Sequence, residues 1–326
     1  MATFLRTAKM NPALAARVEK AVTGSSGSPM LVRRFTAIAR VVFVFAVGFA
    51  IYGFVATRRQ AAADHDKARA DLLVTVQSQA AQLDPEDRTI VTRANTALAS
   101  LAAPEYEGDV VTEAIRHPGE LKATLDRSLL WVRGPMNGFA GPAKIAETAL
   151  ASPKDAFLLC FVDPPAARTE KALLDPVRVA YTGGAPVELR TANVRRLTDA
   201  ITGLSVYEPR FAERIHAASD RTELMKLGME LDRVPFERTK QAVKTRLLLA
   251  AIDEPGTGAG PTELDGERPH AVRVALVDLG SNQVLFRKRK DVDPSWISQA
   301  KRPTYAAGLD GCALAFDLRA ELEARK

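Results

Sequence analysis

The stretch VVFVFAVGFAIYGFVAT, residues 41–57, carries no charged side chain in 17 consecutive positions. Together with the preceding FTAIAR it makes a segment of 23 residues, 35–57. In helical form this segment extends about 34 Å, enough to cross a hydrocarbon core of about 30 Å. Apolar residues surround the whole circumference, which disfavours a helix buried in a soluble core. The sequence therefore predicts a single transmembrane helix at 35–57.

The flanks of this segment indicate an uncleaved signal-anchor. Arginine pairs stand at Arg33-Arg34 and at Arg58-Arg59, where cations reach both membrane interfaces. A cleaved signal peptide would have a shorter leading region and a small-residue site directly after the apolar run. Here Arg58-Arg59 separates the run from the alanines that follow. A twin-arginine signal also fits poorly, because Phe-Thr-Ala follows the first pair.

The basic N-terminal tail, residues 1–34, sets the expected orientation. It holds six basic residues and one acidic residue, whereas the Lys and Arg close to the segment are equal in number on its two sides. Cytoplasmic segments are enriched in Lys and Arg, so the whole tail favours a cytoplasmic N-terminus. A short amphipathic helix is predicted at 12–22. The Ala- and Arg-rich composition hints at a bacterium, in which a cytoplasmic N-terminus would put residues 58 onward in the periplasm and the anchor in the inner membrane.

A juxtamembrane helical hairpin is predicted at 58–103. Its first helix, 64–83, carries apolar residues at heptad-like spacing for fewer than two heptads. The run Asp84-Pro85-Glu86-Asp87 then begins a second helix, along which Ile90, Ala94, Ala97 and Leu101 share one face. We expect a packed hairpin that adds little to the following domain, residues 104–326, which we expect to fold autonomously.

Residues 104–326 predict an α+β domain with a mixed or antiparallel sheet and packed helices. Short apolar runs bounded by Pro, Gly or Asp mark candidate strands at Leu129–Arg133, Ala156–Val162, Val177–Tyr181, Arg246–Ile252, Ala271–Leu279 and Gln283–Lys288. The last two flank a Gly-Ser-Asn turn and predict a β-hairpin.

Helices are predicted at 109–127, 142–151, 191–203, 209–218, 220–232 and 235–244, with a capping box formed by Asp220 and Glu223. For the C-terminal run, Cys312–Leu318 alternates like a strand, although Leu314, Leu318 and Leu322 fit a helix; we choose strand, then helix.

Catalytic and cofactor motifs are absent from the sequence. It contains no P-loop, no glycine-rich dinucleotide loop after a strand, no GxSxG, no HExxH and no CxxC. The four histidines are far apart in sequence. The formal charge of +6 is small for 326 residues and gives no support for nucleic-acid binding. We therefore assign no catalytic residue and no cofactor.

Three strand-end aspartates are the first candidates for a metal or acid–base site. Asp163, Asp253 and Asp278 each follow a strand-like run, so neighbouring strands could bring their carboxylates together. Aspartate also commonly ends a strand and begins a turn, which is the more frequent explanation. The loop from Asp253 to His270 offers further oxygen ligands at Glu254, Glu263, Asp265 and Glu267, but their spacing matches no standard calcium loop.

Two further features carry expectations. The run Arg287-Lys288-Arg289-Lys290 is a dense basic cluster that either binds an anion or protects a strand edge from pairing.

Cys160 and Cys312 are the only cysteines, and both lie in apolar runs. In an extracytoplasmic domain they favour a disulfide, whereas in the cytoplasm they would be two buried thiols.

The sequence thus predicts a membrane-anchored binding or assembly module of unknown ligand. Its expected partners are the lipid bilayer and another protein, with self-association left open. Two alternatives remain. One is a tethered, metal-dependent hydrolase that uses the strand-end carboxylates. The other, which follows if the orientation is reversed, is a cytoplasmic regulatory domain.

Overall fold

The fold is known from a computed structural model. It describes residues 29–117, 119–182, 185–255, 269–298 and 300–324. The chain divides into two compact units, Met1–Lys67 and Ala68–Lys326. The amphipathic helix predicted at 12–22 lies outside the described residues.

The described part of the first unit is helical and belongs to helix α1 (Pro29–Ala80). Within α1 the most apolar window of 18 residues has a mean hydropathy of 1.9, and none of it is buried. Phe49, for example, is 80% exposed. Among the described residues this is the one helix long and apolar enough to cross a membrane.

The second unit contains a six-stranded mixed sheet. Its strands are β1 (Val110–Val111), β2 (Leu129–Pro135), β3 (Val194–Arg196), β4 (Leu247–Asp253), β5 (His270–Asp278) and β6 (Gln283–Val292). Their order is β1-β6-β5-β4-β2-β3. Strands β3, β2 and β4 are parallel to one another, and the other pairings are antiparallel. The α+β class with a mixed sheet is confirmed.

Helices cover both faces of this sheet. They are α2 (Pro85–Arg88), α3 (Ile90–Leu101), α4 (Glu120–Leu125), α5 (Pro142–Ala151), α6 (Ala156–Val162), α7 (Glu170–Thr182), α8 (Ala185–Arg190), α9 (Leu197–Ser205), α10 (Pro209–Ala217), α11 (Arg221–Asp232), α12 (Phe236–Val243) and α13 (Arg302–Ala324). Short 3-10 helices lie at Glu113–Ile115, Met136–Phe139 and Pro294–Trp296.

Alternation along the central strands divides the core into two clusters. Leu129 and Trp131 of β2 point to one face, with α4, α6, α7 and α13; we call this the disulfide face. Leu130 and Val132 point to the other face, with the end of α1 and with α3, α5 and α9 to α12. The end of α1 and helix α3 correspond to the helical hairpin predicted at 58–103 and are called the helical pair. We therefore call this side of the sheet the helical-pair face. Because both faces are covered, the central strands read as continuous apolar runs.

The helical pair belongs to the second core cluster. Four residues of α3 are buried there, namely Ile90, Ala94, Leu98 and Leu101, and so are Val76 and Leu83 from the preceding segment. The expectation that this pair adds little to the core is wrong. The hydrophobic face of α3 is covered by the sheet and the helices beside it, so it does not form a separate packed hairpin. Because α3 contributes to this core, the expectation that residues 104–326 fold autonomously is replaced by the expectation that they require α3.

Four of the predicted strands are present, and two are helices. The run Ala156–Val162 is α6, whose N-cap Asp155 accepts a hydrogen bond from the backbone N–H of Leu158. The run Val177–Tyr181 lies inside α7, which contains Pro176. The C-terminal run is helical throughout α13, so the predicted strand at Cys312 is also wrong.

The predicted helices are mostly correct from residue 209 to 244. The capping box is only partly formed: Asp220 accepts from the backbone N–H groups of Thr222 and Glu223, while the Glu223 carboxylate accepts from Ser219. The predicted helices at 109–127 and 191–203 were too long, because each includes a short edge strand, β1 or β3.

Candidate functional site

The three predicted carboxylates are not brought together. Asp253 ends β4 and Asp278 ends β5, and these strands are antiparallel, with Asp278 opposite Leu247 at the far end of β4. Six residue steps of about 3.3 Å separate the two ends by about 20 Å. Asp278 instead shapes the hairpin turn, where it accepts from the backbone N–H of Gly280 at 2.8 Å.

Asp163 lies elsewhere again. It follows helix α6, is exposed, and its carboxylate is 3.7 Å from Nε of Arg190. Within the described ranges, no three His, Cys, Asp or Glu side chains are grouped closely enough to hold a metal ion. Of the acidic-loop candidates, Glu263, Asp265 and Glu267 lie outside the described residues. Glu254 accepts hydrogen bonds from Arg273 and Arg289.

A buried polar cluster does form at the carboxyl ends of β2 and β4. The alternation of the strands puts Arg133, Asp253 and His270 on the disulfide face at this end of the sheet. Ligands of open α/β sheets bind at this kind of edge. Arg133 donates from Nε and Nη2 to the two carboxylate oxygens of Asp253, at 3.1 and 2.9 Å. It also donates from Nη1 to Asp155 at 2.9 Å.

Three side chains complete this cluster. Asp155 uses its other oxygen to cap α6. The His270 Nε2 atom is 3.7 Å from Asp253 Oδ1. Asp310 comes from α13, where the adjacent Gly311 lies against Arg133: a Cβ there would be in ordinary van der Waals contact, 3.4 Å from Nη1 of Arg133. All the carboxylates of this cluster are buried.

The cluster shifts the pKa of three carboxyls: it lowers that of Asp253, whereas burial raises those of Asp155 and Asp310. Burial alone would raise the pKa of Asp253, but the Arg133 guanidinium and His270 lower it below its usual range. Burial raises the pKa of Asp310 to about 7; Asp293 adds to the rise, whereas His270, Trp296 and Arg133 oppose it. The cluster therefore contains one firmly ionised carboxylate and one carboxyl able to exchange a proton near neutral pH.

The basic run on β6 is neutralised inside the protein. Arg287 pairs with Glu107, and Arg289 donates to Glu254 at 2.9 Å. Lys288 is 1% exposed, and its ammonium donates to Asp109 at 2.9 Å and to Glu321 at 2.7 Å. Lys290 also pairs with Glu321. Since each of these cations faces a carboxylate, the run ties β6 to neighbouring segments and is not a free anion site.

Cys160 and Cys312 are joined by a disulfide in the structure. It links α6 to α13, with the two Cα atoms 5.2 Å apart. Both residues are fully buried on the disulfide face. The bond therefore fixes the C-terminal helix against the layer that also contains the buried cluster.

Two clefts flank helix α3 on the helical-pair face. The larger, of about 700 Å³, lies between α3, the start of α5 and the end of α9, and is lined among others by Asn95, Ala99, Ile201 and Tyr207. The smaller, of about 410 Å³, lies between α3 and the β5–β6 hairpin. Thr92 and Thr96 line both, so α3 forms an exposed ridge between them.

Sequence reasoning missed both the clefts and most of the buried cluster. A signal for the cluster was present: Arg133 occupies an inward position of the apolar strand LLWVRGP, where a charge needs a buried partner. The clefts gave no such signal, because they depend on how α3, α5 and α9 pack.

No protein family model, curated protein or solved structure shows significant similarity to this chain.

Proposed function

We propose that this protein is a membrane-anchored binding module that takes its ligand or partner on the ridge of α3 and in the clefts beside it. The observation that carries the proposal is the pair of clefts that share Thr92 and Thr96. The larger one, at about 700 Å³, is within the range of about 300–1,000 Å³ found for ligand pockets.

The lining of the larger cleft suits a ligand that combines apolar surface with hydrogen-bonding groups. Ile145, Ile201 and Leu204 supply the apolar part. Asn95 supplies an amide whose carbonyl oxygen accepts no hydrogen bond from the described residues.

Anchoring and orientation are part of the same proposal. The unburied apolar stretch of α1 supports insertion in the bilayer. The disulfide between Cys160 and Cys312 supports a location for residues 58 onward outside the reducing cytoplasm, which in a bacterium is the periplasm. The basic tail supports a cytoplasmic N-terminus.

Site-specific photo-crosslinking tests the binding face. A photoreactive residue at Ala99, exposed in the larger cleft, is compared in living cells with one at Ala320, which is exposed on α13. We expect a discrete crosslinked species from position 99 and none from position 320. The substitution Ala99→Trp fills the cleft, and combined with a probe at Thr96 it should abolish the adduct. Ala320→Trp combined with the same probe should leave it unchanged.

The results also separate the alternatives. Equal labelling from both positions, or an adduct insensitive to Ala99→Trp, would remove α3 as the binding face. Crosslinking of two copies of the chain would identify self-association. The hydrolase alternative receives no support from the geometry, because Asp163, Asp253 and Asp278 lie apart.

Reporter fusions test the orientation. Alkaline phosphatase fused after residue 326 should be active, and GFP exported there by the general secretory route should be dark. The opposite pattern would reverse the topology and favour the cytoplasmic regulatory domain.

A further inference from the structure

An open groove runs between the end of α1 and helix α11. Its volume is about 430 Å³, and Ala68 and Leu72 of α1 and Leu224 of α11 supply apolar lining. Two large apolar side chains of α11 stand in solvent at this place, Met225 with 60% and Met229 with 66% of its surface exposed. Apolar surface grouped in this way marks a site where another element packs.

The exposed face of α11 has the spacing of a helix-pairing seam. Arg221, Met225, Gly228 and Asp232 follow one another at intervals of four, three and four residues, as the contact positions of paired helices do. All four line the groove. At Gly228 the space where a side chain would begin is open, with no atom within 4 Å. The seam therefore has room at its centre for a side chain from another helix.

The charges at the two ends of this seam are unfavourable for the helix that carries them. Arg221 begins α11 and Asp232 ends it, and the helix dipole disfavours a cation at the start and an anion at the end. Neither side chain forms an ion pair with any residue that the structure describes. The stability of α11 by itself does not account for these two charges.

A second copy of α11, running in the opposite direction, accounts for all of these features. About a two-fold axis at the middle of the helix, Arg221 lies opposite Asp232 of the partner subunit, and Met225 lies opposite Gly228 of the partner subunit. The symmetry produces each contact twice. Antiparallel packing thus forms two ion pairs and fills the open space at both glycines.

We propose that α11 is the self-association face of this protein and that two copies pair antiparallel through it. A helix of 12 residues offers a small contact, at the weak end of protein interfaces. The pairing therefore rests on the proposed anchoring, because copies confined to one membrane meet at a raised effective concentration. A fragment without the anchor should be monomeric in solution. The groove shares no lining residue with the clefts beside α3.

Cysteine crosslinking of the full-length protein in its native membrane tests the pairing. The only two cysteines of the chain are joined to each other, so Met225→Cys supplies a single free thiol. With helix axes about 8–10 Å apart, the two introduced thiols are within reach of a membrane-permeant bismaleimide that spans about 8 Å. We expect a crosslinked dimer from Met225→Cys and none from Leu189→Cys, which alters another exposed apolar residue, on α8.

Charge exchange separates a specific pair from chance contact. Arg221→Asp or Asp232→Arg, each combined with Met225→Cys, should lower the crosslinked dimer by about ten-fold, because like charges then face each other at both contacts. Both changes suit the helix dipole, so neither weakens α11. When the two variants are produced together with different tags, a mixed dimer should return to the original level, since each contact again joins an anion to a cation.

Washing the same membranes with alkaline carbonate reports the anchoring separately, because an inserted chain stays with the lipid. An inserted chain that gives no dimer from Met225→Cys would overturn the pairing. A mixed dimer no more abundant than the dimer of either charge variant alone would also overturn it. A crosslinked species that contains a different protein would assign this face to another partner and would equally reject self-association.

Discussion

The two faces of the sheet are built differently. The disulfide face contains a stack of Trp131, Phe157 and Phe161, with ring centroids 5.7 and 5.6 Å apart, and the bond between Cys160 and Cys312. The helical-pair face is mainly aliphatic and carries the two clefts beside α3. One layer is closed by covalent and ionic links, while the other leaves grooves at its surface. The comparison teaches that a single sheet can separate a stabilising layer from a binding layer.

Removing the helical pair should break the comparison most strongly. A fragment of residues 104–326 lacks α3 and therefore exposes the apolar surface that Ile90, Leu98 and Leu101 cover. We expect it to aggregate, whereas residues 68–326 should be monomeric in gel filtration and unfold cooperatively. A monomeric 104–326 fragment with an equally sharp transition would show that the helical-pair face needs no cover.

Removing the disulfide should have the next largest effect. The bond closes a sequence separation of 152 residues, which in the chain-entropy model stabilises a fold by up to about 5 kcal/mol. The double variant Cys160→Ala, Cys312→Ala should lose a large part of this in denaturant unfolding. Protein purified from its membrane without reductant should carry no alkylatable thiol in mass spectrometry. Complete labelling of both cysteines would contradict the bond.

A pair of N-cap aspartates offers the smallest and most closely matched comparison. Asp155 caps α6 on the disulfide face and also binds Arg133, while Asp220 caps α11 on the helical-pair face and is exposed. Asp220→Ala should cost about 1 kcal/mol of unfolding free energy. Asp155→Ala should cost more than this, because it also removes a hydrogen bond and ion pair to Arg133 inside the buried cluster. Equal losses would mean that the buried cluster adds no stability.

The sequence predicted the parts of the fold that have a clear period or clear boundaries. The strands at Leu129, Arg246, Ala271 and Gln283 were recognised because turn residues bound apolar runs. Helix α6 was not, because AFLLCFV is buried on all sides and has no polar face to show a period. Asp155 at its start was the missed signal. In α7, Pro176 obscured the helical spacing of Leu173 and Val177.

The candidate site was less predictable than the fold. Asp253 and His270 were singled out from sequence, but Arg133, Asp155 and Asp310 were not. Their meeting depends on the order β4-β2 in the sheet and on the packing of α13 at Gly311, which are long-range properties. Asp253 and Asp278 lie at opposite ends of the sheet because β4 and β5 run antiparallel. The local sequence does not specify this strand direction.

The buried Lys288 ammonium has a consequence for how the chain is made. One of its two partners, Asp109, lies 179 residues earlier, and the other, Glu321, lies 33 residues later. Glu321 follows Lys288 along the chain, so the strand that carries Lys288 stays without a complete set of counter-charges until Glu321 has been synthesised. Full neutralisation of this buried ammonium therefore waits until the segment that carries Glu321 has been added, so this edge of the sheet is completed late in folding.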